Sequence, residues 1–173
     1  MKPRKDTRPK TSAQSVVVTC AICADKVLLW HVTPGQWTGD AAAAMYKKLG
    51  AALRAQYPGR RRFTILEDND PSGYKSNKGE AAKLAENIAP MNFPKRSSDL
   101  NPLDFNIWAR INKAMRAQEK KFKPARRENR VEYMRRLQKV ATSLAARDLT
   151  KTIGSMKRKC AACVAARGRH FEE

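Results

Sequence analysis

The chain of 173 residues is long enough for one domain with a hydrophobic core, and 42% of its residues are hydrophobic. Its 36 basic and 16 acidic residues give a net charge of +20, which predicts a polyanionic partner: nucleic acid first, an anionic membrane surface second. There is no run of about 18 apolar residues, so we expect no membrane span, and the first residues lack the apolar centre of a secretory signal.

A basic arm and a β-hairpin are the first predicted elements. Residues 1–14 hold five basic residues, one acidic residue and two prolines, which predicts a flexible arm. This arm is either a solubilising tail or a contact to phosphate. A single domain is expected over residues 15–171. Its first two runs of β-branched and apolar residues, 15–23 and 26–32, predict two strands joined by a tight turn.

A helix and a short strand follow the hairpin. Asp40 is predicted to cap the helix, and the Tyr-Pro-Gly sequence at 57–59 ends it. The apolar run at 63–66 predicts a short buried strand that carries Asp68 at its C-terminal end. We interpret the arginines at 60–62 as a turn cluster rather than a phosphate contact, because they lie at the opposite end of the strand.

The polar loop after Asp68 is predicted to lead to a helix over residues 80–88 and a short strand over residues 91–94. Basic and aromatic residues beside the strand end could bring phosphate to it, although a solvated loop has the same composition. The candidate nucleic-acid contacts are Tyr74, Lys75, Lys78, Lys95 and Arg96.

A second helix start lies in the sequence Asp-Leu-Asn-Pro-Leu-Asp. Asn101 can cap this helix, Pro102 suits its first position, and Asp104 falls in its first turn. The residues predicted to share one helix face are Asp104, Trp108, Ile111 and Met115. We therefore expect Asp104 to point towards the sheet rather than into solvent.

The C-terminal half is predicted to be helical and basic. Periodicity predicts helices over residues 102–121, 128–146 and 148–168, with Asp148 as the cap of the third. From residue 110 to the end there are 19 basic and 6 acidic residues, a net charge of +13, so most of the charge lies on these helices.

The four cysteines form two C-x-x-C pairs, which suggest a zinc site. Spacing argues against it: Cys20 and Cys23 lie in a predicted strand, where residues three apart point to opposite faces. Cys160 and Cys163 continue the apolar face of a predicted helix. We expect all four to be buried free thiols, which suits a reducing compartment.

Asp68 and Asp104 are the candidate chemical groups. One carboxylate is predicted at a strand end and the other on a helix packed beside it. Hard oxygen ligands of this kind hold Mg²⁺ or Mn²⁺ in sites for phosphoryl chemistry. The sequence therefore predicts that Asp68 and Asp104 are ligands of one divalent-metal site for phosphoryl chemistry.

These residues also carry a family resemblance. The segments EDNDPSG and SSDLNPLDFNIW resemble the paired motifs of mariner-type DDE/D transposases, and the closing IGSMKRKCAACVAARG is similar to the end of their catalytic domain. The resemblance runs from Ser15 to Phe171. It implies an α/β, RNase H-like mixed sheet with flanking helices, and it gives Asp68 and Asp104 the roles of the family's second and third catalytic carboxylates.

The chain departs from the family pattern upstream. The resemblance makes the two N-terminal strands the family's second and third, so the first strand and its carboxylate are not found and the domain is expected to be N-terminally truncated. The one acidic residue upstream, Asp6, lies among basic residues and proline that cannot form a buried strand. Gly73 and Tyr74 stand where related transposases often have a histidine.

Two functions follow from this. The first is a metal-dependent domain for DNA strand cleavage and transfer, truncated and of uncertain activity, using Mg²⁺ or Mn²⁺. The alternative is a non-catalytic, transposase-derived protein that binds nucleic acid or forms part of a ribonucleoprotein. DNA is the first expected partner, RNA the alternative, and a homodimer is compatible with either. We expect a nuclear location, with the mitochondrion as the alternative.

Overall fold

The computed structural model describes residues 16–94, 97–121 and 128–169. The predicted arm at 1–14 and the candidate contacts Lys95 and Arg96 lie outside the described residues. The regular elements are β1 (Val17–Cys23), β2 (Lys26–Thr33), α1 (Gly39–Gln56), β3 (Phe63–Ile65), α2 (Asn77–Ala85), β4 (Ile88–Pro90), α3 (Trp108–Glu119), α4 (Arg130–Thr142), α5 (Ala146–Gly154) and α6 (Met156–Ala165).

The predicted hairpin is confirmed. Strands β1 and β2 pair antiparallel from Val17 opposite Thr33 to Cys23 opposite Lys26, with an irregularity in register between Ala21 and Ile22. The β-branched and apolar residues of both runs suit a pleated surface. Both faces of the hairpin are covered, because Leu29 and the adjacent Trp30 pack against different groups of buried residues. Cys20 is buried at the centre of β1.

A separate, parallel pair of strands forms the second sheet. Strand β3 runs beside β4, with Phe63 opposite Ile88 and Ile65 opposite Pro90. The predictions of a helix over 80–88 and a strand over 91–94 are wrong in their bounds. Helix α2 ends at Ala85, and Asn87 adopts a left-handed conformation with φ of 56°. This reversal starts the strand at Ile88, earlier than expected.

Helix α1 organises the first hydrophobic core. Its cap is Thr38, whose hydroxyl accepts from the amide of Ala41, and not Asp40, which forms an ion pair with Lys78 in α2. Side chains from both sheets pack on this core, among them Leu29 of β2. The buried members are Ala42, Met45, Tyr46, Leu49, Leu53, Phe63, Ala82 and Ile88.

A second core lies among the C-terminal helices and is joined to the hairpin. Trp30 of β2 meets Trp108 of α3 edge-on, with ring centroids 6.2 Å apart. Arg136 of α4 ties the helices together by ion pairs with Glu119 and Glu128. The buried members are Ile107, Ile111, Met115, Val140, Ala141 and Leu149.

The helix predicted over residues 148–168 is two helices in the structure, α5 and α6. The chain breaks at Gly154 and Ser155, where the serine hydroxyl donates to the carbonyl of Thr152 and competes with the helical pattern. The residue at the start of α5 is Ala145 rather than Asp148, which lies in the first turn.

The expectation of four buried thiols holds for Cys20 alone, since Cys23 is half-buried and the C-terminal pair is not buried either. All four cysteines are free, but Cys160 is exposed and Cys163 is half-buried. The buried position belongs to the neighbouring Lys159, whose ammonium lies 4.5 Å from the ring centroid of Phe105. A cation over an aromatic face can occupy a position that the pattern assigns to an apolar side chain. Among the described helices, none is long and apolar enough to cross a membrane.

Candidate metal centre

The end of β3 is fixed by a buried ionic network around Glu67. The Lys83 ammonium lies 2.6 Å from one carboxylate oxygen of Glu67, and the Tyr46 hydroxyl donates to the other. Lys83 is only 1% exposed, and its second partner is Glu80 at 2.9 Å. Burial and the Glu67 carboxylate raise the pKa of Tyr46 far above its usual range, so this hydroxyl stays a donor. The network holds the backbone immediately before Asp68.

Asp68 follows this network and is exposed at the C-terminal end of the β3 segment. The next residue, Asn69, donates from its side chain to the carbonyl of Phe93 at 2.8 Å. That bond ties the strand end to the chain segment that leads to Asp104. Sequence reasoning missed the role of Asn69, because its partner is a backbone carbonyl that no side-chain pattern reveals.

Asp104 lies in a π-helical turn, Leu103–Ile107, that opens α3. The amide of Trp108 donates to the carbonyl of Leu103, five residues back, so the turn holds one extra residue. Ile107 therefore takes the inward position and is buried, whereas Asp104 is exposed. The expectation that Asp104 points into the packed face is wrong for this reason.

Asn101 holds Asp104 in place. Its side-chain nitrogen donates to Asp104 Oδ2 at 2.9 Å, and its side-chain oxygen accepts from the amide of Leu103 at 3.1 Å. Asn101 is buried, so both of its bonds are partly shielded from water. This confirms that Asn101 organises the helix start, by bonding to the turn and the acid together.

The two carboxylates act on each other electrostatically. Although Asp104 is exposed, partial desolvation by the surrounding protein raises its pKa, and the negative charge of Asp68 raises the pKa further, while the hydrogen bond from Asn101 acts in the opposite direction. A cation placed between two carboxylates offsets the repulsion between their like charges. The structure thus brings Asp68 and Asp104 within electrostatic reach of one another.

Replacing Asp68 with asparagine is expected to lower the pKa of Asp104. In the wild-type chain the free energy of unfolding falls as pH rises from the unfolded-state pKa of this carboxyl through its raised folded-state pKa. Removing the charge of Asp68 lowers the folded-state pKa of Asp104, so the free energy of unfolding falls less as pH rises. Carboxyl NMR titration measures the shift, and Asp25→Asn in the hairpin turn is the control. An unchanged Asp104 titration in Asp68→Asn would show that the two groups do not interact.

Asp70, which the sequence analysis did not single out, organises the loop after Asp68. Its carboxylate accepts from the Trp37 indole at 2.8 Å, from the amide of Gly73 at 2.9 Å and from the hydroxyl of Ser72. Burial acts to raise the pKa of Asp70, but these hydrogen bonds outweigh it and lower the pKa. The signal for this role is Asp-x-Ser-Gly, in which an aspartate bonds to amides two and three residues ahead.

Gly73→Ala is expected to destabilise the chain by about 1–3 kcal/mol, the usual cost of overpacking. A methyl group at this position would overlap the indole of Trp37 and push it off Asp70. Urea denaturation measures the change. Gly154→Ala is the matched control, because a methyl group there meets nothing within 4 Å. Equal stability of the two variants would contradict this account of the loop.

The three predicted nucleic-acid contacts of this loop differ in how exposed their side chains are. Tyr74 is half-buried, and its ring centroid lies 5.0 Å from that of Trp37. Lys75 is exposed, and Lys78 is exposed while paired with Asp40. Only the two lysines have side chains on the surface where phosphate could reach them.

The donor set at Asp68 and Asp104 fits Mg²⁺ or Mn²⁺ in part. Mg²⁺ is commonly bound by one or two carboxylates and keeps several waters. Within the described ranges, however, no group of three or more histidine, cysteine, aspartate or glutamate residues could hold a metal ion. Among the described residues, no third carboxylate therefore joins the predicted pair to form a metal-holding group.

Solved structures with a similar fold come from a transposase. The crystal structure of the catalytic domain of Mos1 mariner transposase matches with a TM-score of 0.77 and 18% identity, over 91% of this chain and 76% of that one. The same domain with Raltegravir and Mg matches with a TM-score of 0.77 and 17% identity, over 91% and 77% of the two chains.

A DNA-bound form of that transposase is also similar. The Mos1 mariner paired-end complex with Mn has a TM-score of 0.78 and 17% identity, and the match covers 99% of this chain and 51% of that one. This chain therefore spans about half the length of the protein in that complex. No family model matches the sequence, and no curated protein does. The chain has the RNase H-like fold of a mariner transposase catalytic domain.

Proposed function

We propose that this chain is a transposase-type domain for cleaving and joining DNA strands, with Asp68 and Asp104 as ligands of Mg²⁺ or Mn²⁺. The observation that carries the proposal is the bond from the Asn69 side chain to the carbonyl of Phe93, which ties the strand end at Asp68 to the segment leading to Asp104, within a fold similar to a transposase catalytic domain. Each acid stands on a rigid support: Asp68 follows the Glu67 network, and Asp104 is held by Asn101.

In this proposal, the residues around the site have three separate roles: binding the metal ion, attracting the DNA backbone and orienting a ligand. Asp68 and Asp104 hold the ion, and the exposed Lys75 and Lys78 attract the phosphate backbone to the same edge. A bound divalent metal supplies charge neutralisation at the phosphoryl oxygens and lowers the pKa of an attacking water. Asn101 keeps the Asp104 carboxylate oriented by donating to one of its oxygens.

DNA is the proposed partner. The net charge of +20 favours a polyanion. Structures with a similar fold include a Mos1 paired-end complex with a transposon end and a strand transfer complex. A nuclear location follows from a DNA substrate and stays a prediction.

A second candidate is a non-catalytic nucleic-acid-binding protein with the same fold. The observation that favours it is the lack, among the described residues, of a three-ligand acidic cluster. Two carboxylates without the third should hold metal weakly and lose most two-metal catalysis. The basic charge serves this function as well as the first.

One experiment separates the two functions. Purified chain is incubated with supercoiled DNA in Mg²⁺ or Mn²⁺, with EDTA and an identically purified Asp68→Ala variant as controls for contaminating nuclease. Binding of a labelled duplex is measured in parallel at two salt concentrations. Metal-dependent nicking that Asp68→Ala lacks supports the cleavage function. Salt-sensitive binding without nicking supports the binding protein, and no binding contradicts both.

A further inference from the structure

A cavity lined by arginines lies at the other end of β3 from Asp68. It has a volume of about 610 Å³ and is formed where α1 ends, β3 begins and the chain turns from α2 into β4. Its polar lining consists of Arg54, Arg60, Arg61, Arg62, Glu86 and Asn87, and we name it the arginine pocket. Sequence analysis interpreted three of these arginines as a turn cluster.

The charges in the arginine pocket do not balance. Arg54 forms an ion pair with Glu86 at 2.6 Å, which uses the acidic residue of the pocket. The Arg60 guanidinium lies 5.2 Å from the ring centroid of Tyr57. Arg61 and Arg62 are exposed and make no hydrogen bond or ion pair with the residues that the structure describes. Three guanidinium charges thus face one concavity, and no carboxylate of the described residues neutralises them.

The backbone around the pocket is held firmly. The amide of Phe63 donates to the carbonyl of Asn87 at 3.0 Å, and Phe63 itself is buried in the first core. The turn before it reverses at Gly59, whose φ of 90° suits glycine. The arginines are therefore carried by an ordered strand start rather than by a free tail.

The side chains that line the arginine pocket suit phosphate groups better than unpaired bases. Guanidinium groups match phosphate oxygens with two parallel hydrogen bonds. A site for unpaired bases would offer an open aromatic face, but Phe63 is buried and Tyr57 is covered by Arg60. Contacts to the backbone alone position a duplex without reading its sequence.

We propose that the arginine pocket binds the phosphate backbone of DNA, through Arg61 and Arg62, at a site separate from the carboxylates. Arg62 and Asp68 lie at opposite ends of one extended segment, up to about 20 Å apart at roughly 3.3 Å per residue. DNA held in the pocket is therefore in contact with a different surface from DNA at Asp68. The proposal does not require Asp68 and Asp104 to bind metal.

The test compares salt dependence of binding among variants. For each chain, the affinity for a labelled DNA duplex is measured by fluorescence anisotropy over a range of salt concentrations. Each phosphate contact contributes about 0.9 to the slope of log affinity against log salt. Arg61→Ala/Arg62→Ala is expected to reduce that slope by about 2. The control Lys113→Ala/Arg116→Ala removes two exposed charges from α3.

Two further variants make the test specific to the pocket. Arg61→Lys/Arg62→Lys keeps the charge but loses the two-pronged geometry, so weaker binding at the same charge supports a built site. Asp68→Asn should leave the Arg61 and Arg62 contribution intact, which separates this proposal from the metal site. Shifts of the Arg61 and Arg62 side-chain N–H resonances on adding duplex would locate the contact directly.

The proposal is overturned if Arg61→Ala/Arg62→Ala changes the slope no more than the α3 control does. It is also overturned if an RNA hairpin, and not duplex DNA, is the ligand whose binding depends on Arg61 and Arg62. Both arginines are exposed, so neither variant should affect folding, and urea denaturation checks this.

Discussion

Asp68→Asn and Asp104→Asn are each expected to weaken Mn²⁺ binding and to lower metal-dependent nicking by about 10²–10⁴-fold. A metal at a phosphoryl centre contributes several kcal/mol of stabilisation, and each 1.36 kcal/mol corresponds to a factor of ten in rate. Asparagine keeps the size of the side chain but removes the charge that a hard cation requires. The loss should be similar for both residues, because each supplies one carboxylate of the proposed site.

Asp99→Asn is the matched control for these two variants. It removes an acid from the same Asp-Leu-Asn-Pro-Leu-Asp segment, and it is expected to leave Mn²⁺ affinity unchanged. Calorimetric titration with Mn²⁺ measures affinity even for a chain that does not cleave DNA. Equal Mn²⁺ affinity in wild type and both variants would rule out a shared metal site.

Lys83→Met is expected to lower the free energy of unfolding by about 3–5 kcal/mol, the usual cost of breaking a buried ion pair. Lys83 is 1% exposed, and its removal leaves the nearly buried Glu67 carboxylate with Tyr46 as its remaining side-chain partner. Methionine fills a similar volume, so the loss comes mainly from the unpaired charge rather than from a cavity. Urea denaturation measures it.

Two further chains test the cause of that loss. Lys78 lies on the same helix as Lys83 and forms an exposed ion pair with Asp40 of α1. Lys78→Met breaks this pair and should cost less than about 1 kcal/mol. Adding Glu67→Gln to Lys83→Met removes the unpaired charge and should recover part of the stability. If Lys83→Met is as stable as Lys78→Met, the Glu67 network does not hold the strand end.

Local patterns predicted the hairpin and the first helix well. The β-branched run before Cys23 and the alanine-rich stretch after Asp40 carry their preferences in neighbouring residues. Their bounds differ from the observed ones by about two residues at most, within the usual uncertainty of helix and strand ends. The order of elements in the first half of the chain followed from these signals.

Buried lysines show where such patterns fail. Periodicity alone would turn Leu84 inward, yet Leu84 is 80% exposed and Lys83 is buried. In α6, Lys159 is buried and Cys160 is exposed for the same reason. In each case the compensating group, Glu67 or Phe105, is distant in sequence, so a window of neighbouring residues contains no sign of it.

The sequence indicated which residues form the candidate site, but it did not indicate their geometry. The paired motifs pointed to Asp68 and Asp104. They gave no sign of the π-helical turn that places Asp104 on the surface, because an extra residue in a helix leaves no regular pattern. The role of Asp70 was missed because it depends on Trp37, from a separate part of the chain.

The most direct test of the shared metal site is a crystal structure of the chain with Mn²⁺, using the anomalous signal of the ion. We expect a peak within coordination distance, about 2.0–2.6 Å, of carboxylate oxygens from both Asp68 and Asp104. An ion bound elsewhere would contradict the account. So would a separation of the two carboxylates beyond about 10 Å, since two-metal sites hold their ions roughly 4 Å apart.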